Sequence, residues 1–317
     1  MGEFELIERF FKRPARRNAL GVGDDCALLS PAPGMQLAVS CDMLLEGRHF
    51  LSTMNPFKLG HKALAVNLSD LAACGAKPLA FTLALALPRV DDEWLEQFSK
   101  GLFALADEHA CELLGGDTTR GPLNICITVF GEVPKGSALL RSGARAGDDI
   151  YVSGNLGDAR LALEVFRGSL SLPAELFEAA RARLEQPRPR VALGLALRGI
   201  ASSAIDISDG LVGDLGHVLR QSGVGAQIDC GAAGTLMDAA AALDEERKLE
   251  FILAGGDDYE LAFTAAASQR EAVRAAAEQA HTPVTRIGRI EAQPGLRLVD
   301  RDGQPVARHY ASFDHFA

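Results

Sequence analysis

Carboxylates set beside glycine, or at the end of an apolar run, are the feature that most limits how this chain can fold. They occur as Asp24-Asp25 in "GVGDDCALL", Asp42 after "AVSC", Asp117 in "LLGGDTTRG" and the Asp206/Asp209 pair in "AIDISDGL". Asp70 joins them, because it follows Asn67 by three residues in a helical pattern and so shares its face. The segments lie far apart, so only a fold that brings the chain back repeatedly to one place can gather them. Singly, an aspartate before glycine is usually a turn former or a helix cap. Asp148-Asp149 in "GARAGDDIYV" reads as such a turn before a strand.

Gathered, these acids require counter-charge. Two carboxylates about 4 Å apart repel by roughly 4 kcal/mol at an effective dielectric of about 20, so several together either protonate or hold cations. Hard divalent cations with oxygen ligands are the natural partners, and Mg²⁺ typically takes one or two carboxylates plus substrate phosphates. EF-hand spacing is absent. "GGDTTRG" surrounds Asp117 with backbone N–H groups, the hydroxyls of Thr118 and Thr119, and Arg120, and reads either as a loop suited to phosphate with its metal or as a tight turn. "SGNLGDA" runs from a strand into a helix and offers either a phosphate seat on the helix N-terminus or a tight turn. Neither a P-loop nor a Rossmann fingerprint is present.

Composition excludes several classes. The formal charge of -10 repels nucleic acid and anionic membrane, and no basic run reverses it locally. The six cysteines show no C-x-x-C spacing, which points to reduced thiols in a cytoplasmic protein. "MGEFELIERFF" carries acids where a signal peptide needs positive charge, and no apolar run is long enough to span a bilayer.

The hydrophobic pattern predicts mixed α/β structure in two halves, an α+β protein with a boundary near residue 137: an N-terminal domain over 1–136 and a C-terminal domain over 137–317. Phe4, Ile7, Phe10 and Phe11 fall at helical spacing. "MQLAVSCDM", "LAFTLALALP" and "LNICITVFGEV" read as strands. Asn55-Pro56 is a good start for a helix that stops near Gly75, and "DDEWLEQFSKGLFALADEH" is a helix with Trp94, Phe98, Leu102 and Leu105 on one face. "GVGDDCALL" reads as a strand opening, in which Asp24 and Asp25 point to opposite faces and cannot serve one ion.

Seven motifs stand in order from residue 21 to residue 263: "GVGDDCALL", "VSCDMLLEGRHF", "KALAVNLSDLAACGAKP", "LLGGDTTRGPL", "LLRSGARAGDDIYVSG", "SAIDISDGL" and "LAGGDDYELAF". In type and order the chain resembles the thiamine-monophosphate kinase family, within the aminoimidazole-ribonucleotide-synthetase-like superfamily. The resemblance implies transfer of the ATP γ-phosphoryl group to thiamine monophosphate, with several Mg²⁺ ions between the two anions. It implies that Asp25, Asp42, Asp70, Asp117, Asp206 and Asp209 hold metal, with Ser40 and Cys41 supplying backbone oxygens. Gly116, Asp117, Arg141 and Ser208 would contact ATP, and His49, Asp257 and Phe313 the thiamine phosphate. Asp24 is left to tie down the glycine turn or a neighbouring backbone N–H. Two positions depart from the family pattern: Cys41 stands where Thr is common, and Asp257 where Glu is usual. The resemblance also implies a homodimer pairing through the N-terminal sheets.

No His, Asp or Ser is placed beside a base that would activate it as a nucleophile, which favours direct in-line transfer. The few cations near the motifs are Arg141, Arg120, Lys62 and His49, and Arg141 has the alternative of pairing with Asp148 or Asp149. Two other readings stand beside the kinase. Another ATP-using member of the superfamily would be expected to carry a reactive Cys followed by Lys near the N-terminus, or a cysteine in the C-terminal tail, and neither is present. A Mg-nucleotide-binding protein without turnover would bind ATP but release no acceptor-dependent ADP.

Overall fold

The computed structural model describes residues 2–14, 21–22, 25–237, 243–308, 310 and 312. The chain separates into two compact units. One comprises residues 1–71 and 76–136, the other residues 72–75 and 137–317.

The first unit begins with helix α1 (Glu3–Phe10), followed by β1 (Met35–Leu45), α2 (Pro56–Ala73), β2 (Lys77–Leu87), α3 (Asp92–Glu108), β3 (Glu112–Arg120) and β4 (Asn124–Pro134). Local chemistry sets the helix boundaries. Asn55 Oδ1 accepts the Phe57 N–H at 2.9 Å, Pro56 supplies a φ suited to the first helical position, and α2 ends before Gly75 at φ +64. Asp91 accepts the Trp94 N–H at 3.1 Å and starts α3. Leu95, Phe98, Leu102 and Leu105 bury the inner face of α3, while Trp94 stacks on Phe98 with ring centroids 4.9 Å apart. The buried face of α1 departs from the expected one at Phe4. Leu6, Phe10 and Phe11 are inside, whereas Phe4 is 82% exposed.

The strands of this unit lie in the order β1-β4-β2-β3. β4 is antiparallel to both neighbours, and β2 and β3 are parallel, joined through α3 as a parallel pair requires a crossover. β1 and β3 are therefore the outer strands. Asp42 pairs with Ile127, Ile127 with Leu83, and Leu83 with Gly116, which puts Asp42 and Gly116 on one transverse row.

The second unit runs β5 (Asp148–Ser153), α4 (Asp158–Phe166), α5 (Ala174–Glu185), α6 (Val191–Ala196), β6 (Ser203–Ile207), α7 (Leu211–Ser222), β7 (Gly225–Asp229), α8 (Cys230–Ala233), α9 (Glu245–Ala254), β8 (Glu260–Ala266), α10 (Arg270–Gln279), β9 (Val284–Glu291) and β10 (Gly295–Val299). Its sheet has the order β10-β7-β9-β5-β8-β6. β5 and β8, which lie inside the sheet, are buried along nearly their whole length, and the outer strand β6 is buried as well. Ile150, Val152, Leu156, Ile205, Ile207, Leu211, Leu215 and Ile252 belong to its core. Asp148 makes the turn read from the sequence by accepting the Arg145 N–H at 2.9 Å. Asp149 binds Arg270 at 2.7 Å and Arg286 at 3.2 Å.

Candidate functional site

In the first unit, β1 and α2 bring three of the expected residues together. Alternation along β1 puts Ser40 and Asp42 on its half-buried face and Cys41 on its exposed face. The three-residue step on α2 puts Asn67 and Asp70 opposite them. The Asp42 N–H donates to Asn67 Oδ1 at 3.0 Å, and the Ser40 hydroxyl donates to Asp70 Oδ2. Asn67 is itself held by donating to the Ala63 carbonyl at 3.0 Å. The Cys41 thiol turns away and meets Cys126 Sγ at 3.4 Å. Burial and the Cys41 contact push the Cys126 thiol up to about 11. The donors on the inner side of β1 are therefore oxygens, and Cys41 can add only its backbone carbonyl, so a hydroxyl there would not face the same way. This set suits a hard cation such as Mg²⁺. Among the described residues no three His, Cys, Asp or Glu side chains form a ready-made metal cage.

A cavity of about 710 Å³ in the same unit is lined by Asp25, Gly115, Gly116, Asp117 and Thr118, with Phe4, Ile7 and Phe11 of the first helical segment along its wall. Here two expectations change. Asp25 lies in a bend over Asp25–Cys26 rather than in a strand, and Asp24 falls outside the described residues. "GGDTTR" is strand β3 rather than a phosphate loop, with Asp117 level with Ala84 of β2. Because β3 is an outer strand, half of its N–H and C=O groups face away from β2. Gly116 adopts φ +149, and a Cβ there would stand 1.8 Å from the Leu83 carbonyl oxygen, so only glycine permits this approach. His49 follows β1 in a turn, where its Nδ1 accepts the Leu45 N–H at 3.0 Å. Lys62 is buried on α2.

In the second unit, Asp206 lies near the end of β6, level with Leu261 of β8, and the turn from β6 to α7 carries Ser208 and Asp209. The loop before β8 lies against that turn. The Asp257 N–H donates to the Ser208 carbonyl and the Tyr259 N–H to the Ile207 carbonyl, both at 2.8 Å. Asp257 and Tyr259 hold φ of +62 and +52, a conformation uncommon for side-chain-bearing residues and one that a tightly bound loop sustains. Gly256 precedes them at φ +72, and a Cβ there would stand 2.7 Å from the Ser208 carbonyl oxygen.

The sequence pattern gave no separate signal for Asp214, which reads as an ordinary polar helix residue. Its Oδ2 accepts the N–H groups of Ser208 and Asp209, both at 3.1 Å. Burial pushes its carboxyl up to about 6, against the pull of those N–H groups. The alternative partners for Arg141 are taken: Asp148 accepts Ser202 Oγ at 2.6 Å and Asp149 holds Arg270 and Arg286. Arg141 is exposed, its carbonyl accepts Ser222 Oγ at 3.4 Å, and its charge adds to burial and Arg220 in holding His217 below the usual imidazole range.

The phosphate-seat reading of "SGNLGDA" does not survive. Asp258 Oδ1 accepts the Gly157 N–H at 3.0 Å at the start of α4, and Asp158 occupies the first helical turn. The two buried side chains fill that helix end and one already holds its N–H group, which leaves no seat for a phosphate, and burial keeps Asp258 well above the ordinary carboxylate range. Phe313 lies outside the described residues.

Comparison with known proteins gives the family. Residues 23–133 match the N-terminal domain of the AIR synthase related proteins and residues 145–301 match their C-terminal domain. The thiamine-monophosphate kinase of Salmonella typhimurium is 47% identical over 322 residues, covering 100% of this chain and 98% of that protein. This chain belongs to the thiamine-monophosphate kinase family. The thiamine-monophosphate kinase structure from Stenotrophomonas maltophilia superposes with a TM-score of 0.85 at 46% identity, covering 96% of each chain. AaThiL, a second relative solved in complex with AMPPCP and TMP, gives a TM-score of 0.77 at 30% identity, covering 90% of this chain and 89% of that one. The α+β architecture expected from the motifs is the fold of these kinases. No helix among the described residues is long and apolar enough to cross a membrane.

Proposed function

We propose that this thiamine-monophosphate kinase family member transfers the γ-phosphoryl group of ATP directly, in line, to the phosphate of thiamine monophosphate. An oxygen of the acceptor phosphate forms the new P–O bond as the β,γ-bridging bond breaks, giving thiamine diphosphate and ADP. The observation that carries the metal-dependent form of this reading is the oxygen set at β1 and α2, with Ser40 and Asp42 facing Asn67 and Asp70 while the Cys41 thiol turns away. Phosphoryl transfer asks the protein chiefly for positioning and charge neutralisation, which fits a site rich in carboxylates.

Mg²⁺, when bound, neutralises charge on the transferring group and its neighbours. Several such ions are proposed, for which Asp25, Asp42, Asp70 and Asp117 of the first unit, with the backbone oxygens of Ser40 and Cys41, and Asp206 and Asp209 of the second would be the ligands. Gly116, Asp117, Ser208 and Arg141 would position ATP, the bare edge of β3 supplying N–H donors without a side chain in the way. His49, Asp257 and Phe313 would contact the thiamine phosphate. Asp257, one methylene shorter than the glutamate common in the family, is carried on a loop held by two backbone hydrogen bonds, so the shorter reach is paired with a fixed origin.

We further infer a homodimer in the cytoplasm. β1 is an outer strand whose exposed face carries Leu37, Val39, Met43 and Leu45, with Val39 58% exposed. An apolar outer strand of this length is a pairing surface that a second copy would cover. The decisive experiment for the activity supplies ATP, Mg²⁺ and thiamine monophosphate and follows thiamine diphosphate. Its formation is expected, with loss on chelation by EDTA and recovery on added Mg²⁺. ATP binding without acceptor-dependent ADP release would instead leave the non-catalytic reading.

A further inference from the structure

Asp214 takes part in neither the metal nor the substrate assignments above, yet it holds the backbone of two residues that do. It lies in the first turn of α7, is 5% exposed, and receives the Ser208 and Asp209 N–H groups on one carboxylate oxygen. A helix cap ordinarily sits before the helix and reaches forward to the first helical N–H groups. Asp214 does the reverse: it reaches back across Gly210 into the turn. What it orders is therefore the Ser208–Asp209 segment more than the helix.

Taking two consecutive N–H groups on one oxygen fixes the orientation of both peptide planes. The opposite side of the same segment is fixed by the loop before β8, through Asp257 N–H to the Ser208 carbonyl and Tyr259 N–H to the Ile207 carbonyl. The directions in which the Ser208 hydroxyl and the Asp209 carboxylate leave the backbone are thus set from two sides. Loss of a group that orients a ligating residue typically costs about 10–100-fold in metal affinity or activity.

We propose that Asp214 is a positioning residue for phosphoryl transfer, aiming Asp209 at the metal and Ser208 at the nucleotide through its paired backbone hydrogen bonds. The inference rests on the assignment of Ser208 and Asp209 to nucleotide and metal. The required feature is an oxygen acceptor at this place and not a negative charge, so Asp214→Asn, which keeps that oxygen, and Asp214→Ala, which removes it, separate positioning from charge.

The test measures Mn²⁺ binding by electron paramagnetic resonance in the presence of AMPPCP, where no turnover occurs, together with kcat, KM and thermal melting. Asp214→Asn should bind Mn²⁺ like wild type, and Asp214→Ala should bind it about 10–100-fold more weakly, the range seen when outer-shell partners of metal ligands are lost. kcat should fall in Ala and recover in Asn. If Ala fails to fold, Asp214→Glu replaces it; the longer side chain displaces the turn and should weaken Mn²⁺ binding similarly. Wild-type Mn²⁺ binding in a folded Ala or Glu variant, with only a lowered Tm, overturns the proposal, as does an Asn variant that loses binding as Ala does. Wild-type protein that binds no Mn²⁺ with AMPPCP overturns instead the underlying assignment of the metal residues, and this proposal with it.

Discussion

Asp42 is fixed at both ends of its own residue, with its N–H held by Asn67 and its strand by β4. Replacing it by Asn preserves volume and removes the charge that would face a cation. Asp42→Asn should therefore lower kcat by more than the roughly 10–100-fold that second-layer changes cost, with Tm little changed; near-wild-type turnover in a steady-state assay would contradict its metal role. Asp214 carries a second residue-scale consequence, for stability. Its folded carboxyl titrates at about 6 instead of 3.8 because burial disfavours the anion, so the folded state holds the proton more tightly than the unfolded chain. The associated stability is full below the unfolded value and is lost as pH rises through about 6. Asp214→Asn cannot ionise and should escape that loss, gaining up to about 2–3 kcal/mol relative to wild type between pH 4 and pH 7.5, read by denaturant titration across that range. Placement was legible where spacing decides a shared face, as with Asn67 and Asp70. It was hidden where a side chain reaches back into its own loop, as Asp214 does, because nothing in "DGLVGDL" distinguishes that from an exposed polar position.

Strand β3 is the element on which the candidate nucleotide contacts depend. It can lie against β2 with Asp117 level with Ala84 only because Gly116 lacks a Cβ. Gly116→Ala should destabilise the first unit by about 2–4 kcal/mol through overpacking and an unfavourable φ, and should raise the KM for ATP in whatever fraction folds; an unchanged melting curve would refute the close approach. The helices α2 and α3 were readable because their signals are local: Asn55-Pro56 and Asp91 at the starts, Gly75 after one end. "GGDTTRG" was harder, since its glycines suggest a loop and its strand character comes from pairing with β2, a partner distant in sequence. For α1, helical spacing was sound, with Phe10 and Phe11 buried and Phe4 alone among the four expected residues on the outside. Leu6 is inside and Phe4 outside, on a helix that packs against α3 and β3.

At the scale of the whole molecule, the order and spacing of seven motifs identified the family, whereas composition alone reached only a two-part α/β protein. The association state belongs to this scale too. Size-exclusion chromatography with light scattering should give about twice the chain mass, and Val39→Lys, which puts a charge on the exposed face of β1, should shift it toward a single chain; wild-type protein eluting as a clean monomer would exclude pairing through this strand. The loop that carries Asp257 has a further consequence. Its amides are tied to carbonyls at the end of β6, so they should exchange with solvent deuterium on the timescale of the sheet beside them and not on that of a surface loop. Such a loop is a shelf rather than a lid: a ligand arriving there would find its conformational entropy already removed, and its affinity would be set by contacts and desolvation instead of by the ordering of chain.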